Sequence, residues 1–304
     1  MNEDIIKYIG EDSPGYCFEN VIGRGFWKTI LASYWNTEAM DEALLIEPIQ
    51  SLLLYGPFGS GKNTLLEAMA GEMIQGGYNY LYIDLLTIPK EKIPFVFRYI
   101  YTEYKKKGPL FLRIYHLERL QDVRLLQKLL HWAEERETPM IITAAVEDEN
   151  ELPKDIRKMF YAHYIGLPGA EDRKAYFEEE LENLFENVSS QGMKKLMEDT
   201  DGYNYVQMAS LVQRIKMRVK YTMLKEGKTI DRAMDYLNDS VIQEVLKNSE
   251  LPKKKSSETM NLSALVQAMS NIQPVQAQTV KKTEIVKPQK RDPLAALHPS
   301  KIFD

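Results

Sequence analysis

Cysteine is nearly absent: Cys17 is the one thiol in 304 residues. A single thiol excludes an internal disulfide and a thiolate metal cluster. With no patterned partner, Cys17 reads as a reduced structural or surface thiol. No apolar run approaches the roughly 20 residues that a membrane span needs, so no membrane partner is expected. The N-terminus, MNEDIIKYIGEDSPGY, is acidic and lacks the basic-then-apolar order of a secretory signal, which makes the cytoplasm the expected location. Basic charge is scarce over most of the chain. Residues 251–304 hold nine Lys/Arg against four Asp/Glu, which leaves 30 against 40 in residues 1–250 and a net charge of −5 overall. An acidic body with a basic tail argues against a large nucleic-acid footprint on the folded part.

What is present is an ordinary globular composition, 44% hydrophobic and 27% charged, long enough for one large or two small domains. Residues 1–17 read as a leader, broken at Ser13-Pro14-Gly15. Between 18 and 168, short apolar runs alternate with helical patterns. SLLLY (51–55), YLYID (80–84), PLFLRIY (109–115), PMIITAAV (139–146) and HYIGL (163–167) read as strands. Helical spacing appears in 61–74, 93–107 and 120–136. Such alternation predicts an α/β fold, a parallel sheet with helices on both faces. Residues 169–250 carry helical periodicity and no strand signal, which predicts a small all-helical lid domain. From 251 the sequence is polar, with Phe303 its single aromatic. It buries too little to offset its ordering entropy and reads as a disordered basic tail. Two apolar islands, 262–269 and 292–303, are candidate motifs for a protein partner.

The stretch GPFGSGKNT, Gly56 to Thr64, matches a phosphate-binding loop, GxxxxGK, placed after a strand and before a helix. Glycines let consecutive backbone N–H groups turn inward around phosphate oxygens. The helix that follows aims its positive end at them, and Lys62 adds a charge. Pro57, Phe58, Gly59, Ser60, Gly61, Lys62, Asn63 and Thr64 are therefore the candidate binding residues for ATP or ADP.

With these residues in view, the chain resembles an AAA-family ATPase domain, within the wider AAA+ and P-loop group, over residues 18–247. FENVIGRGFWKTIL (18–31) is similar to the family's opening segment, and the resemblance implies that Ile22 and Gly23 lie near the adenine. GPFGSGKNT resembles the family's loop, and PLFLRIYHLERL (109–120) its acidic strand. IITAAVEDENELPKDIRKMF (141–160), HYIGLPGAEDRKAYF (163–177) and DGYNYVQMASLV (201–212) resemble its later landmarks. The resemblance implies a ring of subunits, of itself or of a related AAA subunit.

The departures fall where the family does chemistry. The resemblance implies a Ser/Thr hydroxyl on Mg²⁺ after the lysine; Asn63 stands there, and its carbonyl oxygen is a weaker metal ligand. Thr64 is one position too late on the helix. The Asp that holds the Mg²⁺ shell falls on Tyr115, which bears no charge at neutral pH. The Glu that orients water falls on His116, and the polar residue ending the fourth strand falls near Val146. Two arginines donated to a neighbouring subunit fall on Lys158 and Met159, with Arg157 one step earlier. The pore loop is reduced to LLTIPKEK (85–92), without an aromatic.

Losing a positioned base costs about 10²–10⁴ in rate, and a missing arginine finger about 10³–10⁵ at the neighbour's site. The sequence therefore predicts a pseudo-ATPase, in which binding outlasts hydrolysis, acting as a structural or regulatory subunit. Three rescues stand against this. His116 is an alternative base, Glu118 matches the family's second acidic position, and Asp84 is a weaker metal candidate. The competing function is an active AAA+ ATPase that remodels a protein or nucleic-acid complex. A third is a binding module whose loop holds no nucleotide. Arg113, unusual inside a strand, shares a face with Tyr115 under period two; pairing with an acidic group, or filling the space of a missing Mg²⁺, are its two readings.

Overall fold

The computed structural model describes residues 3–34, 49–104, 107–120, 122–134, 138–181, 187–226 and 236–248. The tail from 251, with its two apolar islands, lies outside the described residues. In chain order the strands are β1 (Ile9–Gly10), β2 (Ser51–Tyr55), β3 (Asn79–Asp84), β4 (Leu110–Tyr115), β5 (Met140–Val146) and β6 (Tyr161–Tyr164). The α-helices are α1 (Glu3–Ile6), α2 (Gly25–Ala32), α3 (Lys62–Gln75), α4 (Ile93–Tyr104), α5 (Val123–Glu134), α6 (Lys154–Arg157), α7 (Ala170–Glu180), α8 (Ser190–Asp199), α9 (Tyr205–Glu226) and α10 (Asp239–Asn248).

The strands form a six-stranded sheet in the order β1-β3-β4-β5-β2-β6. All neighbours run parallel except β1, which pairs antiparallel with β3 through Ile9 opposite Ile83 and Gly10 opposite Tyr82. SLLLY is buried at every position but Tyr55, as a central strand covered on both faces must be. On one face, Leu53, Ile83, Leu112 and Ile114 pack with Val96, Phe97 and Ile100 of α4 and Leu126 and Leu129 of α5. On the other, Leu52, Leu54, Tyr80 and Phe111 pack with Leu31 of α2 and Leu65, Leu66, Met69 and Met73 of α3. After residue 169 the described residues build a separate apolar cluster from α7, α8, α9 and α10, which includes Phe177, Leu196, Leu211, Ile215 and Ile242.

Two features differ from the sequence reading. The segment taken as a leader supplies α1, whose Ile5 is buried, and the edge strand β1. A two-residue strand is too short to leave a periodic signal. The last parallel strand covers Tyr161–Tyr164 rather than 163–167. Its pairing partner β2 ends at Tyr55, and Ile165 adds one more bond, its N–H reaching the Tyr55 carbonyl at 2.7 Å, before the chain leaves for the lid. Near the start of the chain, residues 16–20 cross α3. Gly71 makes room for them: a Cβ there would lie 2.2 Å from the Tyr16 carbonyl oxygen.

Candidate nucleotide site

The loop Gly56–Gly61 joins the end of β2 to the start of α3. Gly56, Gly59 and Gly61 take positive φ, at 140°, 71° and 91°, where a side chain is strained. A Cβ on Gly56 would also lie 2.2 Å from the Ile165 carbonyl oxygen. Lys62, 7% exposed, curls back into the loop. Its ammonium donates to the carbonyls of Gly56 at 2.6 Å and Pro57 at 2.9 Å, and lies 3.4 Å from the Ser60 hydroxyl. Burial pulls its pKa below the ordinary lysine value, and the nearby Glu147 acts the other way.

Sheet register brings the ends of β2, β4 and β5 together. Tyr55 sits opposite Val146, and Ile114 opposite Ala144. Parallel α/β sheets open their crevices at such carboxyl ends. Here a cavity of about 790 Å³ lies over the loop, within the usual size of a small-molecule site. Ile22, Phe58, Gly59, Gly61, Lys62, Asn63 and Thr64 line it, and so do Tyr115, His116, Glu118 and Val146. Gly23, Pro57 and Ser60 are not in its wall. Gly23 packs on Asp172, Pro57 offers its carbonyl to Lys62, and Ser60 is fully buried under the loop. Arg157 lies outside the cavity and is held by Asn150 at 3.0 Å and Glu149 at 4.0 Å. The segment 85–92 keeps Ile88 buried and Leu86 exposed.

Beneath this wall lies a polar network built on Arg113 and Tyr115, the two residues the sequence puts on one strand face. Arg113 is 1% exposed, on the face of β4 that meets α3. Its Nη2 donates to Asn63 Oδ1 at 2.6 Å, and its guanidinium lies 4.8 Å from the Tyr115 ring centre. Tyr115 in turn donates its hydroxyl to Glu67 Oε1 at 3.1 Å, and the Tyr16 hydroxyl bonds the other oxygen of Glu67. Burial pushes Tyr16, Tyr80 and Tyr115 above the usual phenol range, so all three stay neutral donors. Burial also lowers Arg113, while Tyr115, Tyr80 and Glu67 oppose it; a guanidinium keeps its charge in a protein. The spacing held the signal. Asn63 and Glu67, four apart, share a helix face, and Arg113 and Tyr115, two apart, share a strand face.

This donor set does not fit Mg²⁺. The ion needs several oxygen ligands in octahedral array. The Asn63 carbonyl oxygen, the proposed ligand, is taken by a cation. The Tyr115 hydroxyl is a neutral donor, and both Glu67 oxygens are engaged by tyrosines. Glu118, Glu147 and Glu151 share the cavity, and Glu151 is pushed above the carboxylate range by burial, then by Glu118, Glu147 and Asp148. Among the described residues, no three His, Cys, Asp or Glu side chains are grouped to hold a metal ion. His116 adopts φ 56° and its Nδ1 meets Asp84 Oδ1 at 2.7 Å.

A second hub, which the sequence did not single out, is Arg24. It adopts φ 59° and is 5% exposed. Its Nη2 donates to the carbonyls of Ser60 at 2.5 Å and Gly166 at 2.8 Å, and its backbone N–H donates to Asp172 at 2.6 Å. It also sits 5.3 Å from the Tyr205 ring centre. The lid touches the loop directly as well: the Tyr205 N–H reaches the Gly59 carbonyl at 3.0 Å, and Asn204 Nδ2 the Phe58 carbonyl at 3.3 Å. Burial leads the shifts that push the Tyr205 phenol up to about 12.

No family model matches the sequence, and a search of curated proteins finds no match to it. Solved structures do match it. The FIGL-1 AAA domain in complex with ADP aligns at 18% identity with a TM-score of 0.60, covering 89% of this chain and 96% of that one. Another structure of the FIGL-1 AAA domain gives 19% identity, a TM-score of 0.61, and 88% and 94% coverage. A structure described as the basis for katanin self-assembly gives 16%, 0.56, and 81% and 89%. At these identities the likeness concerns the fold, and it spans sheet and lid together: the chain has the fold of an AAA ATPase domain.

Proposed function

We propose that this chain binds ATP or ADP with weak or no hydrolysis and serves as a structural or regulatory subunit of an oligomeric AAA assembly. One observation carries the reading: the loop has its glycines and its lysine, while at the positions where the resemblance implies the metal ligands and the base stand Asn63, held by Arg113, Tyr115, held by Glu67, and His116, held by Asp84. Lys62 trades its loop carbonyls for phosphate oxygens when a nucleotide enters, which returns it to a favourable ionic partner. The first turn of α3 supplies backbone N–H groups at its positive end. Ile22 and Tyr205 supply the wall for a base. The solved neighbour in complex with ADP supports nucleotide binding, and the katanin self-assembly structure supports association of subunits. We place the boundary between the α/β domain and the lid at 168/169, with 18–168 joined in the first domain by α1 and β1, and the lid at 169–250. We infer a cytoplasmic protein whose tail meets a protein partner and whose acidic body does not take nucleic acid.

Thermal unfolding with and without nucleotide tests the binding. A ligand at about 100 times its Kd stabilises by roughly 2.7 kcal/mol, so millimolar ATP raises the unfolding midpoint; an unmoved midpoint favours a loop that holds no nucleotide. The alternative, an active remodelling ATPase, has one observation in its favour. His116 is oriented by Asp84 at 2.7 Å, which fixes Nδ1–H toward the carboxylate and leaves Nε2 as an acceptor for a water proton. His116→Ala separates the two. It leaves turnover unchanged in the first reading and lowers it about 10²-fold or more in the second.

A further inference from the structure

The side chain of Asn63 has a fixed sense. Arginine has donors and no acceptor. The Asn63 atom 2.6 Å from Arg113 Nη2 is therefore the carbonyl oxygen, whichever way an amide is drawn elsewhere. Asn63 is exposed in the cavity wall while Arg113 is buried behind it. The remaining polar atom, Nδ2, carries two N–H donors and has no hydrogen-bond partner among the described residues. Its neighbours along the wall are Lys62 and the opening turn of α3, the groups that meet phosphate.

Arg113 is poorly explained by stability alone. Its Nε and Nη1 find no acceptor among the described residues, and a buried donor without an acceptor destabilises a fold. An apolar residue of the same volume would avoid that cost. What the arginine does provide is a fixed positive charge behind the cavity wall. It polarises the amide it binds and strengthens the N–H donors on the far side.

We infer that this site takes the polyphosphate of a nucleotide without a divalent metal, with the Asn63 amide, held and polarised by the positioning residue Arg113, donating to phosphate where the family resemblance implies Mg²⁺. The inference rests on the nucleotide-binding reading and specifies its chemistry. Lys62 and the α3 N-terminus supply the charge on one side of the phosphates, and the Arg113–Asn63 pair supplies it on the other.

Calorimetric titration of the full chain with ATP, in millimolar Mg²⁺ and in excess EDTA, tests this directly. The expected Kd values agree within about threefold. A Kd weaker in EDTA by about tenfold or more overturns the inference and leaves nucleotide binding intact. No heat in either buffer removes the nucleotide reading and this inference with it. Asn63→Asp sharpens the test, because the change is isosteric, sits on an exposed residue and leaves Arg113 paired. A carboxylate repels phosphate and ligates metal, so its Kd in EDTA should weaken about tenfold or more and recover with Mg²⁺. An unchanged Kd in EDTA for that variant also overturns the inference, since an amide with a purely structural role would not create a metal requirement.

Discussion

Lys62 shows what a single residue carries here. Its ammonium is satisfied by its own loop carbonyls at 2.6 and 2.9 Å, so it is poised and costs little to reorient. Lys62→Ala should leave the fold in place and weaken ATP binding by about tenfold or more, the worth of one charge-assisted bond; titration of the variant checks it. Arg113→Met should fold with an unfolding midpoint no lower than wild type, because it removes orphaned buried donors without leaving a buried charge; a urea melt decides. His163 makes a pH prediction. It stacks on Tyr34, ring centres 5.8 Å apart, and bonds the Tyr34 hydroxyl. Burial lowers its pKa, so the fold prefers the neutral ring. The unfolded chain takes up its proton near pH 6.5, and stability falls as the pH drops from there toward the lowered folded value. His163→Gln should flatten that acid-side decline in urea midpoints.

Between elements, close approach decides more than propensity. Gly71 sits mid-helix in α3, where glycine weakens a helix by about 1 kcal/mol against alanine. Its place follows from the chain crossing at Tyr16, 2.2 Å from where a Cβ would stand. Gly71→Ala should therefore destabilise the protein, against its helix propensity, by about 1–3 kcal/mol, measured as a shift of the denaturation midpoint. The strands and long helices were legible in the sequence, because apolar runs and 3.6-residue spacing report burial directly. β1 was not, since two residues carry no period. Nor was the Arg24 hub. Its partners are backbone carbonyls of Ser60 and Gly166 and the side chain of Asp172, 148 positions away, and no local pattern encodes such contacts. The loop was legible because glycine, lysine, strand and helix coincide. The Arg113–Asn63 pair was half legible: the odd residues stood out one by one, and their contact needed the register of β4 against α3.

In the whole molecule, sheet and lid meet at the loop Gly56–Gly61, through Tyr205 and Asn204 on Gly59 and Phe58 and through Arg24. In the proposed function, a nucleotide on the loop sits against the residues that hold the lid, which suits a structural role for it. The proposed function requires that nucleotide binding persist where turnover is weak or lost. Steady-state ATP hydrolysis by the purified full chain, at saturating ATP and Mg²⁺ and beside a binding titration of the same sample, tests it most directly. Set against an ordinary turnover of about 10 s⁻¹, a lost base of about 10²–10⁴ predicts about 0.1 s⁻¹ or less with binding retained. Turnover of about 1 s⁻¹ or more, typical of working enzymes and abolished by Lys62→Ala, would contradict it.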